Sequence, residues 1–231
     1  MEPSIRKNWL VAIFLGGMGI CACVLVVNVV AGIRHGMTLK QTHNDLKWIV
    51  MALHDYHDAH GHFPPTVIRD DDGSAIHSWR SVIQDELRNI VETEDRFDAY
   101  DLSQPWDAPT IRAASSQHRF GSHPYRILAV VGHNAAWHPT RTRSMADFAD
   151  GTRNTVLLIA VRNSDCAWHE PVDAVVNASG KLTVNNEELD LSSDVFLVTA
   201  DGTVHSAANG VPTEILSALL TINAGDTVGD W

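Results

Sequence analysis

The feature that most constrains this chain is an uncharged run near its N-terminus, from Trp9 to Ile33. The only strongly polar residue in it is Asn28. In a helix, about 20 apolar residues cross the hydrocarbon core of a bilayer, which is about 30 Å thick. Lipid offers the backbone no hydrogen-bonding partners, so such a segment is expected to be helical. The sequence therefore predicts a transmembrane helix over Trp9–Ile33, with the lipid bilayer as its partner.

Three kinds of N-terminal segment fit this run. An uncleaved signal-anchor is favoured, because the apolar region of a cleaved signal peptide is usually only about 7–15 residues long. A lipoprotein signal is the third alternative, since Ile20–Cys23 is similar to a lipobox with Cys23 as the acylated residue. The apolar residues that continue from Val24 to Ile33 disfavour that alternative.

Charges on the two sides of the run are close to balanced, so the positive-inside rule orients it only weakly. The basic residues before and after it are Arg6 and Lys7, then Arg34, Lys40 and Lys47. A cytoplasmic N-terminus is favoured, because the short N-terminal tail leaves little to translocate. We therefore expect a single-pass protein of the cytoplasmic membrane, with a cytoplasmic tail over residues 1–8, a transmembrane helix over 9–33 and a periplasmic domain over 34–231.

The net charge of -11 narrows the classes of function. A domain this acidic repels phosphate backbones, so no nucleic acid is expected as a partner. The cysteines are Cys21, Cys23 and Cys166, which leaves one of them in the domain. The domain can therefore form no internal disulfide, and it has no cysteine set of the zinc-binding type.

A second helical pattern follows over residues 38–60, where apolar positions recur three or four residues apart. Gly61 suits the position after a helix end, and the Pro64-Pro65 pair prevents continuation. A one-sided apolar stripe must pack on another layer, and an antiparallel sheet is the expected one. Residues predicted to be buried are Leu46, Ile49, Val50 and Leu53, while Asp45 and Lys47 are predicted to face water.

Strand signals dominate the rest of the chain. Three β-rich runs predict strands at Tyr125–Val131, Thr155–Val161 and Val195–Val198. The last leads through Asp201-Gly202, a two-residue hairpin signal, into another strand. Short helices are expected at about 78–91 and from Pro212, as the first helical residue, to about residue 220. The order predicts an α+β domain: a long N-terminal helix, membrane-spanning and then amphipathic, packed on an antiparallel sheet with short additional helices.

The densest group of titratable residues lies at the end of the long helix. His54, His57 and Asp58 share one helical face, and histidine with carboxylate can bind zinc or another divalent metal. The favoured alternative is a structural helix end whose histidines cap carbonyl groups and pack on the sheet. Asp70–Ser74 resembles the start of a calcium loop, but the twelfth position of that loop would be Ser81, so a polar turn is favoured. We therefore expect no metal and no other cofactor.

The motifs of several enzyme classes are absent from the sequence. There is no Gly-x-Ser-x-Gly, no His-Glu-x-x-His, no phosphate-binding glycine-rich loop and no dinucleotide fingerprint. We therefore expect no enzymatic activity and assign no catalytic residue. The domain tryptophans are more typical of core or interface positions than of ligand stacking.

Several blocks of sequence stand out between about residue 38 and the C-terminus. The main ones are Ala52–Pro65, Asp70–Gly73, Ser78–Arg80, Gln104–Pro109, Ala129–Gly132, Asp150–Thr155, Trp168–Pro171, Thr199–Val204 and Gly225–Trp231. In order and spacing, these blocks resemble a planctomycete family of pseudopilin-like proteins, which carry a C-terminal domain of unknown function and are sometimes catalogued as solute-binding-like. The resemblance implies a pilin-like fold and a structural motif made of His60, Pro64, Pro65, Trp79, Trp106, Asp150, Gly151, Asn154, Trp168, Asp201 and Gly202.

The N-terminus departs from this family. Many members begin with a prepilin signal in which a glutamate opens the apolar run, whereas Trp9–Ile33 contains no glutamate. A similar motif, Gly36–Leu39, follows the run instead of starting it. We therefore expect that no prepilin peptidase cleaves the chain and that it forms no long filaments alone.

The leading hypothesis is a membrane-anchored, pseudopilin-like structural or assembly protein of the cell envelope. Its implied partners are other pseudopilin-like proteins or components of a type II-like secretion system. The second hypothesis is an anchored binding module for a small solute or glycan, and the third is a metal-dependent enzyme. An apolar pocket with convergent polar groups favours the binding module, and an exposed edge strand with a protruding helix favours assembly.

Overall fold

The computed structural model describes the backbone of residues 3–91, 101–117, 120, 124–162 and 167–225. It describes their side chains except those of residues 3–23, 114, 116 and 117. The chain divides into two compact units, residues 1–41 and residues 42–231.

The described residues form one long helix, several short helices and a set of short strands. The helices are α1 (Pro3–His60), α2 (Trp79–Val82), α3 (Gln84–Ile90), α4 (Pro109–Gln117) and α5 (Thr213–Leu219), with 3-10 helices at Met145–Asp147 and Thr152–Asn154. The strands are β1 (Val67–Arg69), β2 (Ala75–Ser78), β3 (Tyr125–Val131), β4 (Val156–Arg162), β5 (Ala174–Val176), β6 (Leu182–Val184), β7 (Glu187–Glu188), β8 (Val195–Thr199) and β9 (Val204–Ala207).

The main sheet has the strand order β7-β6-β5-β3-β4-β8-β9. Its pairs are antiparallel, except that β3 and β5 run parallel. Strands β1 and β2 form a separate antiparallel hairpin. A long N-terminal helix, a mostly antiparallel sheet and a few short helices make this an α+β protein, so the predicted fold class is confirmed.

The second half of α1 carries the predicted buried stripe. Leu46, Ile49 and Leu53 are fully buried, Val50 is 3% exposed, and the helix ends at His60 as predicted. Gly61 has φ 76° and donates its N–H to the His57 carbonyl oxygen at 2.7 Å, the geometry of a glycine that terminates a helix.

One prediction for this helix is wrong: Asp45 does not face water but is 0% exposed. Thr42, Asp45, Ile49 and Ala52 follow one another at helical spacing and are all fully buried. The buried stripe is therefore wider than the apolar residues alone indicate. Lys47 is exposed, as predicted.

Alternate residues of the central strands form an apolar cluster with α5. Leu128 of β3 and Ile159 of β4 pack there with Leu219 of α5. Side chains alternate along a strand, so the intervening residues point to the opposite face. Tyr125 and Phe196 meet on that face, with ring centroids 5.3 Å apart.

The described part of the chain holds no helix that combines the length and the apolar character needed to cross a membrane. Residues 9–23 of the predicted span Trp9–Ile33 lie outside the side chains that the structure describes.

Several element boundaries differ from the predictions. The single helix predicted over 78–91 is divided at Ile83, whose ψ of 14° departs from helical geometry, although the Ile83 N–H still bonds to the Trp79 carbonyl oxygen at 3.2 Å. Pro212 lies one position before α5 instead of being its first residue. The β8–β9 connection has four residues, Ala200 to Thr203, instead of the predicted two, and the Thr199 N–H bonds across it to the Thr203 carbonyl oxygen at 3.0 Å.

Candidate functional site

The most exposed apolar surface on the described residues lies on α1. Its large side chains are 40–66% exposed, and they are Val24, Leu25, Val26, Val27, Val29, Val30 and Ile33. Successive helical residues point about 100° apart, so these neighbours surround the helix instead of forming one stripe. Asn28 donates its side-chain Nδ2 to the Val24 carbonyl oxygen at 2.9 Å, so this amide is partly satisfied within the helix itself. Monomeric soluble proteins rarely expose a contiguous apolar surface of this kind.

The histidines at the end of α1 attach the helix to the rest of the domain. His54 donates through Nε2 to the Ala200 carbonyl oxygen at 2.9 Å. His57 accepts the Met145 N–H at its Nε2, 3.2 Å away, and its ring lies 5.1 Å from that of Phe63. Both rings are therefore held by backbone groups.

The remaining candidates at the helix end make local contacts. Nδ1 of His57 lies 3.7 Å from an oxygen of Asp58, whose side chain is 83% exposed. His60 stacks on Tyr56 with ring centroids 4.0 Å apart and donates through Nδ1 to the Tyr56 carbonyl oxygen at 2.9 Å. In the described residues, no group of three or more His, Cys, Asp and Glu could hold a metal ion. The structure therefore does not bring His54, His57 and Asp58 together as a ligand set.

The first Asp-Gly loop holds the C-terminal segment. The Asp150 carboxylate accepts the N–H groups of Ala224 at 2.9 Å and Gly225 at 2.8 Å. Asn154 donates its Nδ2 to the Asp150 carbonyl oxygen at 2.9 Å, and Gly151 has φ 91°, which favours glycine. These residues close the turn that leads into β4.

The second Asp-Gly loop is the β8–β9 connection. The Asp201 carboxylate accepts the hydroxyl of Thr199 at 2.6 Å and the N–H of Thr203 at 3.1 Å. Gly202 has φ 89°, and a Cβ atom there would lie 3.3 Å from Cε1 of His54. The loop therefore forms the surface on which the end of α1 rests.

These hydrogen bonds lower the pKa of the Asp201 carboxyl below its ordinary value. Burial by itself would raise this pKa, but the bonds from Thr199 and Thr203 and the positive charge of Arg153 outweigh it. The ionised carboxylate is thus the form that the loop stabilises.

A buried ion pair joins α2 to the sheet. Arg80 Nη2 lies 2.8 Å from Asp173 Oδ1, and the two side chains are 2% and 5% exposed. Arg80 also donates to the Ile127 carbonyl oxygen at 2.6 Å, while Asp173 accepts the Ala129 N–H at 2.8 Å and the Trp79 indole N–H at 3.2 Å. Burial raises the pKa of the Asp173 carboxyl, and Arg80 with these donors opposes the rise.

Aromatic rings surround this ion pair. The Arg80 guanidinium lies 4.5 Å from the Trp79 ring centroid and 5.8 Å from that of Trp168. Trp79 and Trp168 are both buried. Among the other motif residues, Pro64 is buried and Pro65 is half-buried. Trp106 is also half-buried, and its backbone N–H bonds to the Ile76 carbonyl oxygen at 2.9 Å.

Sequence reasoning missed Asp173, which lies in no recognisable motif, and it treated Arg80 only as part of a block. A nucleophile-like contact between Ser81 Oγ and His169 Nδ1, 3.3 Å long, was also not predicted. Both residues are 2% exposed, so a substrate has no access to them. The motif residues with described contacts thus help to hold the fold together.

Comparison with known proteins gives one finding. Residues 40–131 match the model of the family SBP_bac_10, described as "Protein of unknown function (DUF1559)". No curated protein and no solved structure matches the chain. The matched region begins within α1 and ends at the last residue of β3.

Proposed function

We propose that this protein is a membrane-anchored, pseudopilin-like assembly protein of the cell envelope, which acts through its N-terminal helix and not through catalysis. The observation that carries the proposal is the apolar surface of α1 between Val24 and Ile33, exposed around the helix. Covering such a surface by lipid or by other helices is strongly favourable, whereas leaving it in water is costly.

The sequence extends this apolar character towards the N-terminus as far as Trp9. An uncharged segment of this length is suited to a bilayer. In the proposed arrangement, residues 9–33 lie in the cytoplasmic membrane, residues 1–8 in the cytoplasm and residues 34–231 on the periplasmic side.

Assembly is proposed to occur between helices within the membrane. Gly16, Gly17 and Gly19 lie in the uncharged run, and small residues allow helices to approach closely in lipid. The partners are further copies of this chain or other pseudopilin-like or secretion-system proteins. The run has no glutamate of the prepilin type, so the assemblies are small oligomers and not long filaments.

Site-specific photo-crosslinking tests this proposal. A photoreactive side chain replaces Val27 in the full-length chain, and the exposed Lys181 receives the same side chain as a matched control. After irradiation of whole cells, the Val27 derivative is expected to give lipid adducts and dimers, and the Lys181 derivative no lipid adducts.

Two results would contradict the proposal. In one, Val27 gives adducts only with water-soluble proteins. In the other, negative-stain microscopy of the purified protein shows long filaments, which would restore a full pilin-type polymer in place of a small anchored assembly.

A further inference from the structure

A cavity of about 260 Å³ lies where the β6–β7 hairpin meets the ends of β3 and β4. Its charged lining comes from Arg126 and Arg162 on the strands and from Glu187, Glu188 and Asp190 on and after the hairpin. All of these residues belong to the unit over residues 42–231. The residues that line the cavity therefore include none from the exposed part of α1.

Arg126 is the cationic group in this cavity that the described residues leave without a partner. The residue is half-buried, and its Nε atom is buried with no hydrogen bond. Arg126 also forms none of the ion pairs of the described residues. Buried polar groups almost always have partners, so a guanidinium placed this way is suited to a ligand that accepts its hydrogen bonds.

Two other charges of the lining are already neutralised. Lys181 Nζ lies 2.9 Å from both carboxylate oxygens of Glu188. Arg162 Nη2 lies 3.2 Å from Asp194 Oδ2 and 3.4 Å from the Tyr125 hydroxyl. These pairs support the wall of the cavity and leave its remaining charges available.

The remaining charges are Arg126 on one side and the carboxylates of Glu187 and Asp190 on the other. Neither carboxylate forms an ion pair within the described residues, and Asp190 accepts hydrogen bonds from the uncharged Ser192, whose N–H is 3.0 Å away. One unpaired cation thus lies in the same cavity as two unpaired anions. A ligand that complements them carries a carboxylate together with more than one cationic group.

The β6–β7 hairpin, which carries Glu187, has a well-defined turn. Val184 pairs with Glu187 across the turn, and Asn185 and Asn186 have φ 52° and 67°. This is the two-residue turn with both central residues left-handed, the type whose twist matches that of the flanking strands. The turn therefore sets the backbone position of Glu187 beside the cavity.

We propose that this cavity binds a small zwitterionic solute of the dibasic amino-acid type. Its carboxylate accepts two hydrogen bonds from Arg126, because a guanidinium fork matches a carboxylate. Its ammonium groups pair with Glu187 and Asp190. A volume of about 260 Å³ lies just below the range of drug-sized pockets, roughly 300–1,000 Å³, and so suits a ligand the size of an amino acid.

Calorimetric titration of the full-length protein in detergent with L-lysine tests the proposal. Cadaverine, which has both ammonium groups of lysine but no carboxylate, is the matched comparison ligand. We expect lysine to bind at least about tenfold more tightly than cadaverine, because only lysine engages Arg126. Equal affinities, or the absence of lysine binding at millimolar concentrations, would overturn the proposal.

Three variants locate the binding in this cavity. Arg126→Gln is expected to weaken lysine binding about tenfold and to remove the preference for lysine over cadaverine. Glu187→Gln is expected to weaken both ligands, and Arg112→Gln on the exposed face of α4 to leave both affinities unchanged.

Arg126→Lys keeps the charge and loses the planar fork, so an intermediate preference is expected even if Arg126→Gln folds poorly. If both Arg126 variants melt at the wild-type temperature and still prefer lysine over cadaverine to the wild-type extent, the ligand binds elsewhere and the proposal is overturned. None of these results depends on how α1 is anchored, so this test and that of the assembly role succeed or fail separately.

Discussion

Arg80 and Asp173 form an ion pair with a nitrogen–oxygen distance of 2.8 Å, and both side chains are almost completely buried. The pair joins α2 to β3 and to the segment before β5, since Arg80 also bonds to the Ile127 carbonyl oxygen and Asp173 to the Ala129 N–H. Removal of one partner leaves a buried charge without its counterpart, which is costly in a protein interior.

Arg80→Met is therefore expected to lower the free energy of unfolding by about 3–5 kcal/mol. Urea unfolding of the full-length chain in mild detergent, followed by tryptophan fluorescence, measures it. Arg88 and Asp85 form the control, because their distance is also 2.8 Å but the pair is exposed. Arg88→Met should cost less than about 1 kcal/mol. Equal losses of unfolding free energy in the two variants would show that burial does not determine how much the Arg80–Asp173 pair contributes to stability.

The buried stripe of α1 gives a second prediction. Leu53→Asp places an unpaired carboxylate in the core, and we expect a loss of about 4 kcal/mol or more in unfolding free energy. Met51, two residues earlier on the same helix, is 51% exposed. Met51→Asp should therefore change stability by no more than about 0.5 kcal/mol, and a comparable loss in both variants would mean that the stripe is wrongly assigned.

Contact between Gly202 and His54 gives a third prediction. In Gly202→Ala, the alanine would be strained at φ 89°, and its Cβ atom would lie 3.3 Å from His54 Cε1. In Gly73→Ala, the alanine would be strained at a similar φ of 83°, but its Cβ atom would have no other atom within 4 Å. Conformational strain alone costs about 1 kcal/mol, so the Gly202 variant should lose more than the Gly73 variant. The excess should disappear when His54→Ala is added, and an excess that survives would have another origin.

The lowered pKa of Asp201 predicts a dependence of stability on pH. Because the folded state favours the carboxylate, its stabilising effect is fully present above the ordinary pKa of 3.8 and is lost as the pH falls through the lower folded-state value. Asp201→Asn should therefore destabilise the protein at neutral pH, and its difference from the wild type should fade below pH 3.8. Thermal melts across this range measure the effect, and a difference that grows on acidification would reverse the assigned sign.

Local patterns in the sequence predicted much of the fold. Spacing of apolar residues identified the second half of α1 and its buried side, and β-rich runs identified β3, β4 and β8. Asp45 was placed wrongly because its burial depends on the width of the packed surface, which the type of residue does not reveal. Strands β5, β6 and β7 have three, three and two residues, too few for a periodic pattern to stand out.

The candidate sites were less predictable, because they depend on contacts between distant parts of the chain. Arg80 and Asp173 are 93 residues apart in sequence. Arg80 stood out only as part of the Ser78–Arg80 block, and Asp173 lies in no recognisable motif. Arg126 reads as one residue of a β-rich run, and only the fold brings it to the same cavity as Glu187. The sequence marked the histidines of α1 as a dense group, but their contacts with carbonyl groups depend on the β8–β9 loop, which the sequence alone does not position.

Extraction of cell membranes with alkaline carbonate shows directly whether the uncharged N-terminal segment anchors the protein in the bilayer. The full-length protein is expected to remain in the pellet, because about 20 apolar residues suffice to hold a helix in the bilayer. Intact-mass analysis of that fraction should show an N-terminus that no prepilin peptidase has shortened or methylated. Recovery of most of the protein in the soluble fraction, with a mature N-terminus beyond residue 31, would show that the segment does not anchor the protein.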